Sequence, residues 1–267
     1  MNILNQIVEY KKAEVETRKI LVPEKELEKS SLFKKKCISL KKALEDKSKP
    51  GIIAEFKRKS PSKGFINKDA DVKKITAAYT RSGACGLSIL TDYHFFGGTT
   101  EDLVIARENN IPLLRKDFII DPYQVLVSKA MGADVILLIA ACLSKTKVKA
   151  FAKLAKQLGM EVLLEIHDEK ELGHICNDVD MVGINNRDLK DFTVDIKRSI
   201  KLSRLIPGDK IKIAESGITD VETINAFRKA GYKGFLIGET FMKEKDPGKA
   251  FSTFVNKLNL KNKPINK

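Results

Sequence analysis

The sequence predicts an α/β protein: a single (β/α)8 TIM barrel with a helical N-terminal extension. Three observations carry that expectation. The chain has 267 residues, close to the roughly 250 that such a barrel needs. From Gly51 onward, eight short apolar runs each lead into a polar cluster and then an amphipathic stretch. Strict alternation of strand and helix is the signature of parallel strands joined by crossover helices. Finally, no G-x-G-x-x-G opens a first βα unit, which argues against the doubly wound open sheet, the main alternative.

Residues 1–49 read as a helical extension packed on the barrel. Ile3, Ile7 and Val8 recur at helical spacing, and Lys12, Glu16 and Lys19 mark a wet face. Pro23 breaks this helix. A second is predicted over 24–29 and a third, short and amphipathic, over 39–46. The barrel is assigned to 50–258. Its strands are predicted at Ile52–Lys57, Leu87–Thr91, Pro112–Asp117, Asp134–Ala140, Glu161–Ile166, Met181–Asn185, Lys210–Glu215 and Gly234–Gly238. Its helices are predicted at 70–82, 100–109, 122–131, 145–158, 168–176, 195–205, 219–230 and 247–258. Ser144 and Thr219 are expected N-caps, and Gly132, Gly159 and Gly231 fall at helix ends, where left-handed geometry favours glycine. Residues 259–267 read as a basic C-terminal tail.

Composition narrows the function classes. Apolar residues make up 43% of the chain, enough for a large core, yet no run approaches the ~20 residues of a membrane span. The longest, Val135–Cys142, suits a buried strand. Met1–Arg18 mixes apolar residues with Lys11, Lys12, Glu14 and Glu16 and has no signal-peptide pattern, so a cytoplasmic location is expected. Cys37, Cys85, Cys142 and Cys176 are scattered, without metal-ligand spacing. The net charge of +14 invites a nucleic-acid reading, but its distribution opposes one. Residues 1–50 hold 13 Lys/Arg against 8 Asp/Glu, and residues 255–267 hold four Lys and no acid, which leaves +5 over the 204 residues between. Basic runs without interleaved aromatics are solvated surface. No nucleic-acid, membrane or metal partner is expected, and the assembly expected is a monomer or weak homodimer.

The chemistry concentrates at the strand ends. The C-terminal mouth is where a barrel assembles its active site, and buried charge is expensive unless paired or functional. Six predicted strands end in polar residues: Glu55, Lys57 and Lys59 at alternate positions of the first, Lys116 in the third, Glu165 in the fifth, Asn185 in the sixth, Glu215 in the seventh, and Gly238-Glu239 in the eighth. A mouth of mixed sign suits an anionic substrate and proton transfer. Glu215-Ser216-Gly217-Ile218 and Ile237-Gly238-Glu239 place glycine after strands seven and eight, where backbone N–H groups commonly grip phosphate. Glu239 would contribute its backbone N–H there. His167, His94 and His174 are read as ordinary packed or surface residues, and Ser60 has no partners that would make it a nucleophile.

Together these strings carry a resemblance. Glu55-Phe56-Lys57-Arg58-Lys59-Ser60-Pro61-Ser62, Leu87-Ser88-Ile89-Leu90-Thr91-Asp92, Arg115-Lys116-Asp117-Phe118, Gly183-Ile184-Asn185-Asn186-Arg187-Asp188-Leu189, Ala214-Glu215-Ser216-Gly217-Ile218 and Leu236-Ile237-Gly238-Glu239 resemble the indole-3-glycerol-phosphate synthase family of tryptophan biosynthesis, from residue 1 to 258. The resemblance implies a cofactor-free, metal-free lyase. It would cyclise, decarboxylate and dehydrate 1-(2-carboxyphenylamino)-1-deoxyribulose 5-phosphate, a small anionic phosphorylated substrate, to indole-3-glycerol phosphate. By resemblance Lys116 is the general acid, its pKa lowered by the neighbouring Lys57. Lys57 holds the substrate carboxylate, and Glu165 is the base that removes the nitrogen proton. Glu55, Asn185 and Glu215 position the hydroxyls and the lysines. Lys59, Ser216, Gly217, Gly238 and Glu239 grip the phosphate, and Phe96, Phe118, Pro61 and Leu189 wall the aromatic ring. Another phosphate-binding barrel enzyme, such as a phosphoribosyl isomerase, would share the glycine ends but lack the Glu55–Pro61 string and the extension. A basic RNA-binding protein would instead need a continuous cationic face.

Overall fold

The computed structural model describes residues 3–187 and 193–261. Three helices precede the barrel: α1 (Ile3–Leu21), α2 (Glu24–Leu27) and α3 (Leu40–Glu45). Eight parallel strands then close on themselves: β1 (Ile52–Phe56), β2 (Gly86–Leu90), β3 (Leu113–Lys116), β4 (Val135–Ile139), β5 (Glu161–Ile166), β6 (Met181–Asn185), β7 (Ile211–Glu215) and β8 (Gly234–Ile237). Closure is by β1, which pairs β2 (Ile53↔Gly86) and β8 (Ile53↔Leu236). The outer helices are α4 (Val72–Arg81), α6 (Thr100–Ala106), α7 (Pro122–Ala130), α8 (Lys145–Gln157), α9 (Ile196–Ser203), α10 (Val221–Lys229) and α12 (Pro247–Lys261). One-turn helices α5 (Tyr93–Phe96) and α11 (Glu239–Met242) follow β2 and β8. A two-stranded antiparallel ribbon, Lys59–Ser60 with Gly64–Phe65, folds over after β1. Among the described residues no helix is long and apolar enough to cross a membrane.

Both faces of a barrel strand are covered, so the strands read as near-continuous apolar runs. Ile53, Leu114, Leu137, Leu163, Met181, Ile213 and Leu236 fill the interior. Leu40 and Leu44 of α3 join this inner core and plug the end of the barrel opposite the mouth. The plug is held through Glu161, at the start of β5. Its carboxylate accepts from the Leu40 N–H (2.8 Å) and the Lys41 N–H (3.0 Å), as well as the Ser39 hydroxyl. An anion at a helix start satisfies orphan N–H groups and complements the dipole. A second, larger core lies between the strands and the outer helices.

Helix α1 takes the other end. Its Lys11 is fully buried, with Nζ 2.9 Å from Glu14, 2.9 Å from Asp92 after β2 and 3.1 Å from Asp117 after β3. The extension therefore clamps the barrel at both ends.

Local differences from the expected elements have local reasons. The predicted helix over 168–176 is a 3-10 turn, Glu169–His174. Asp168 caps it, but Gly173 and a six-residue length give an α-helix little to propagate. The α10 N-cap is Asp220, whose carboxylate accepts from the Thr223 N–H at 2.7 Å. Thr219 stands one residue outside, its hydroxyl turned to Asp220. Ser144 caps α8 as expected, and Gly132, Gly159 and Gly231 all have positive φ. Helix α12 continues to Lys261, into the stretch read as tail.

Candidate active site

A cavity opens at the C-terminal mouth. Glu55, Lys57, Pro61, Phe96, Lys116, Phe118, Glu165, Asn185, Glu215, Ser216, Gly217, Gly238 and Glu239 all line it. One expected site residue does not join them. Lys59 lies in the antiparallel ribbon, where Nζ donates to the His94 carbonyl at 2.8 Å and sits over the Phe65 ring. Strand alternation put it on the face of Glu55 and Lys57, but β1 ends at Phe56 and the chain turns before Lys59. Leu189 lies outside the described residues.

The floor of the cavity is an ionic lattice. Lys116, at the end of β3, places Nζ 2.9 Å from Glu165 Oε2 and 3.4 Å from Glu215 Oε2. Lys57 pairs with Glu55 at 2.7 Å. Asn185 Nδ2 donates to Glu165 Oε1 at 3.0 Å. The expected depression of the Lys116 pKa is overturned. Burial pulls it down, but Glu165, Glu215 and Glu55 together outweigh burial and hold the ammonium well above its ordinary range.

The two carboxylates beside Lys116 are pushed in opposite directions. Burial works against the Glu165 charge, yet Lys116, His167 and the Asn185 hydrogen bond hold its carboxyl below the usual range. Burial and the charges of Glu165 and Glu55 push Glu215 up, against the pull of Lys116. A pair of acids with divided pKa values is how one pocket keeps a base beside a proton donor. The Glu215 Oε1 atom is buried without a hydrogen-bond partner and lies against the Gly183 backbone.

Backbone shape makes room for these groups. A Cβ at Gly183 would lie 2.0 Å from Glu215 Oε1, and one at Gly238 would lie 2.5 Å from Glu55 Oε1. At the far side of the cavity, Ser216 and Gly217 both have φ 68, and Ser216 is the non-glycine residue with positive φ among the described residues. Such strain is kept where the surroundings demand a particular loop shape, commonly at a ligand site. Phe96 and Phe118 face each other with ring centroids 6.0 Å apart, forming an apolar wall.

Sequence reasoning missed several lining residues. Ile3, Leu4 and Ile7 of α1 reach the cavity. Their helical spacing was visible, but periodicity shows that a face is buried without showing against what. Arg187 also lines the cavity, with Nη2 3.6 Å from Glu239; it was visible within the Asn186-Arg187-Asp188 string. The Glu239 carboxylate is engaged by Lys63 at 2.6 Å. His167, read as an ordinary residue, stands with Nε2 3.3 Å from Glu165 Oε1.

Comparison with known proteins identifies the family. The family model described as indole-3-glycerol phosphate synthase matches residues 4–254. A Bacteroides thetaiotaomicron protein named indole-3-glycerol phosphate synthase is 45% identical over 96% of this chain and 99% of its own length. A Campylobacter jejuni protein of the same name is 43% identical over 95% of this chain and 100% of its own. Among solved structures, the tryptophan synthase subunit alpha of Legionella pneumophila superposes with a TM-score of 0.61 at 13% identity, over 83% of this chain and 97% of that one. The thiamine phosphate pyrophosphorylase of Pyrococcus furiosus gives 0.57 at 14%, over 82% and 99%. At such identities these two speak only for the barrel.

Proposed function

We propose the reaction from one premise: the chain belongs to the indole-3-glycerol phosphate synthase family. It acts as a carbon–carbon lyase on 1-(2-carboxyphenylamino)-1-deoxyribulose 5-phosphate and releases indole-3-glycerol phosphate, CO2 and water. The observation that carries this reading is the position of Lys116, between two carboxyl groups whose pKa values are pushed in opposite directions, on the floor of a cavity with an apolar wall.

The substrate's phosphate fits the Ser216–Gly217 and Gly238–Glu239 backbone, with Arg187 at its side. Its anthranilate ring fits between Pro61, Phe96 and Phe118. Its carboxylate competes with Glu55 for Lys57, which holds the ring carbon against the ketone. Carbon–carbon bond formation drives a pair of electrons onto the ketone oxygen, and Lys116 protonates it. A high pKa suits this step. The lysine arrives charged at any physiological pH, and it sheds its proton as charge develops on an oxygen in contact with it. CO2 then leaves, and its bonding pair restores the aromatic ring. Dehydration follows, with Lys57 available to protonate the departing hydroxyl.

The proton removed in dehydration comes from the methylene carbon, since indole retains its N–H. This amends the expectation of nitrogen deprotonation and leaves Glu165 as the base. A carboxylate held this low is a weak base in the empty site. It strengthens when substrate draws Lys116 toward the ketone, because the attraction holding its pKa down is then relaxed. Glu55, Asn185 and Glu215 serve as hydrogen-bonding guides for the substrate hydroxyls.

The test is to mix the purified chain with 1-(2-carboxyphenylamino)-1-deoxyribulose 5-phosphate and follow indole fluorescence together with CO2. Both signals rising in step are expected. Folded protein that binds the substrate without producing either would overturn the reaction.

A further inference from the structure

A carboxylate stands beside the place that the substrate's phosphate takes. The Gly238–Glu239 backbone is one side of the proposed grip, and the Glu239 side chain brings a negative charge to the edge of the same cavity. A phosphate arriving there meets a like charge, which disfavours binding. The reason for a glutamate at this position lies in what its carboxylate touches.

Three elements converge on it. Lys63, in the turn of the antiparallel ribbon, donates from Nζ to Glu239 Oε1 at 2.6 Å. The two residues are 176 positions apart in the chain, so only barrel closure brings them together. Arg187, past the end of β6, lies with Nη2 3.6 Å from Glu239 Oε2. Its Nη1 donates to the Ser62 hydroxyl at 3.4 Å, which joins it to the ribbon as well. The Arg187 Nε–H is buried and has no partner; buried donors are generally satisfied, and a phosphate oxygen at this end of the cavity would satisfy this one. Lys59, the cation expected in the grip, is turned to the His94 carbonyl, whereas Lys63 reaches Glu239.

The Lys63–Glu239 pair is built to exchange. Burial works against the Glu239 charge, but Lys63, Arg187 and Lys57 outweigh it and hold the carboxyl below the usual range. The group is therefore an anion when substrate arrives. The Lys63 side chain is 56% exposed and that of Glu239 26%, and an ion pair so wet contributes little. A phosphate carries more charge than a carboxylate and three acceptor oxygens. The lysine ammonium swings on a flexible four-carbon stem, so it can leave one anion for the other beside it.

We propose that Lys63 is a further phosphate-binding residue, and that the Glu239 carboxylate is the counter-ion that holds it at the mouth until the substrate's phosphate takes its place. The inference rests on the reading of Gly238–Glu239 as part of the phosphate grip. Transfer of Lys63 draws the ribbon turn toward the substrate. Pro61 and Ser62 lie in that turn and line the cavity, so phosphate recognition also brings Pro61 against the aromatic ring.

Inorganic phosphate is the probe, titrated calorimetrically into the full chain beside steady-state turnover of the substrate. Lys63→Met should raise the phosphate Kd about tenfold, the size of one charge-assisted contact. KM should rise with kcat held within about twofold, because the contact is the same in ground and transition states. Lys63→Arg should restore both, and Lys63→Met should bind dephosphorylated substrate as wild type does. Glu239→Gln should tighten phosphate about threefold, since the competing pair is gone, and the Lys63→Met loss should be larger in that background. An unchanged phosphate Kd in Lys63→Met would overturn the binding role, as would an equal loss of affinity for phosphorylated and dephosphorylated substrate. A loss of the same size in both backgrounds would remove Glu239 as the counter-ion. Should the wild-type chain show these phosphate affinities and form no indole product, the reaction assignment falls and the Lys63 site stands.

Discussion

Lys11→Met removes a charge while keeping the bulk of its stem, and its cost can be worked from the structure. Lys11, Asp92 and Asp117 all have side chains no more than 1% exposed. The lysine is the cation that joins the two acids, and it ties α1 to the ends of β2 and β3. Arg115, 2.8 Å away, still pairs Asp117 in the variant, but the charge opposite Asp92 is gone. Breaking a buried pair by deleting one partner costs about 3–5 kcal/mol, since the surviving charge is left uncompensated. For a domain of this size roughly 2–4 °C of Tm accompanies each kcal/mol, so Tm should fall by about 6–20 °C.

The loss has a pH signature. Burial works against the Asp117 charge, but Lys11 and Arg115 hold its carboxyl well below the usual range. A depressed pKa contributes stability that is present above the unfolded value and lost as pH falls through the folded one. Removing Lys11 raises that folded value, so the gap between wild type and variant should narrow as pH falls below the ordinary carboxylate range. Lys11 lies one turn from Ile7, which lines the cavity, so KM should rise as well. The assay is thermal and urea unfolding from about pH 2 to 8 beside steady-state kinetics. A Tm within about 1 °C of wild type at pH 7 would refute the reasoning, because no buried pair of that worth could then exist.

Other perturbations test other parts of the site. Lys116→Ala should lower kcat by at least ~10² with substrate binding retained, measured by turnover and by equilibrium titration; a near-normal rate would remove Lys116 as the acid. Gly183→Ala should disable the site out of proportion to its size, since the new methyl meets Glu215 Oε1; unchanged kcat with a crystal structure showing Glu215 in place would contradict the packing. Glu215→Gln should flatten the stability curve at high pH. The raised Glu215 pKa gives stability that is complete below the ordinary carboxylate range and lost as pH climbs through the raised value, and a curve that still declines as in wild type would assign the slope elsewhere. Asp220→Ala should cost about 1 kcal/mol and Thr219→Ala much less, a difference that urea unfolding resolves; the reverse order would move the α10 cap back to Thr219.

Strand and helix order was legible in the sequence because a parallel strand covered on both faces is a short apolar run, and a crossover helix is amphipathic. β5 and β6 were predicted to their end residues. The cavity was legible for a related reason: a charge that closes an apolar strand stands out, and Glu55, Lys57, Lys116, Glu165 and Glu215 all do so. Alternation failed at Lys59 because it holds only while the strand lasts, and the chain turns after Phe56. Period-3.6 spacing marked the buried stripe of α1, yet the partners of that stripe lie on other elements, so neither its place at the mouth nor the burial of Lys11 could be read. Charge pairing lay furthest from view. Chain order puts Lys57 in one motif and Lys116 in another, both positive, and suggests mutual repulsion. Glu55 instead pairs with Lys57 two residues along the same strand end, and barrel closure brings Glu165 and Glu215 to Lys116 from β5 and β7. The sign of a pKa shift depends on which charges lie within a few ångströms in space, and barrel closure decides those distances across strands that lie far apart in the chain.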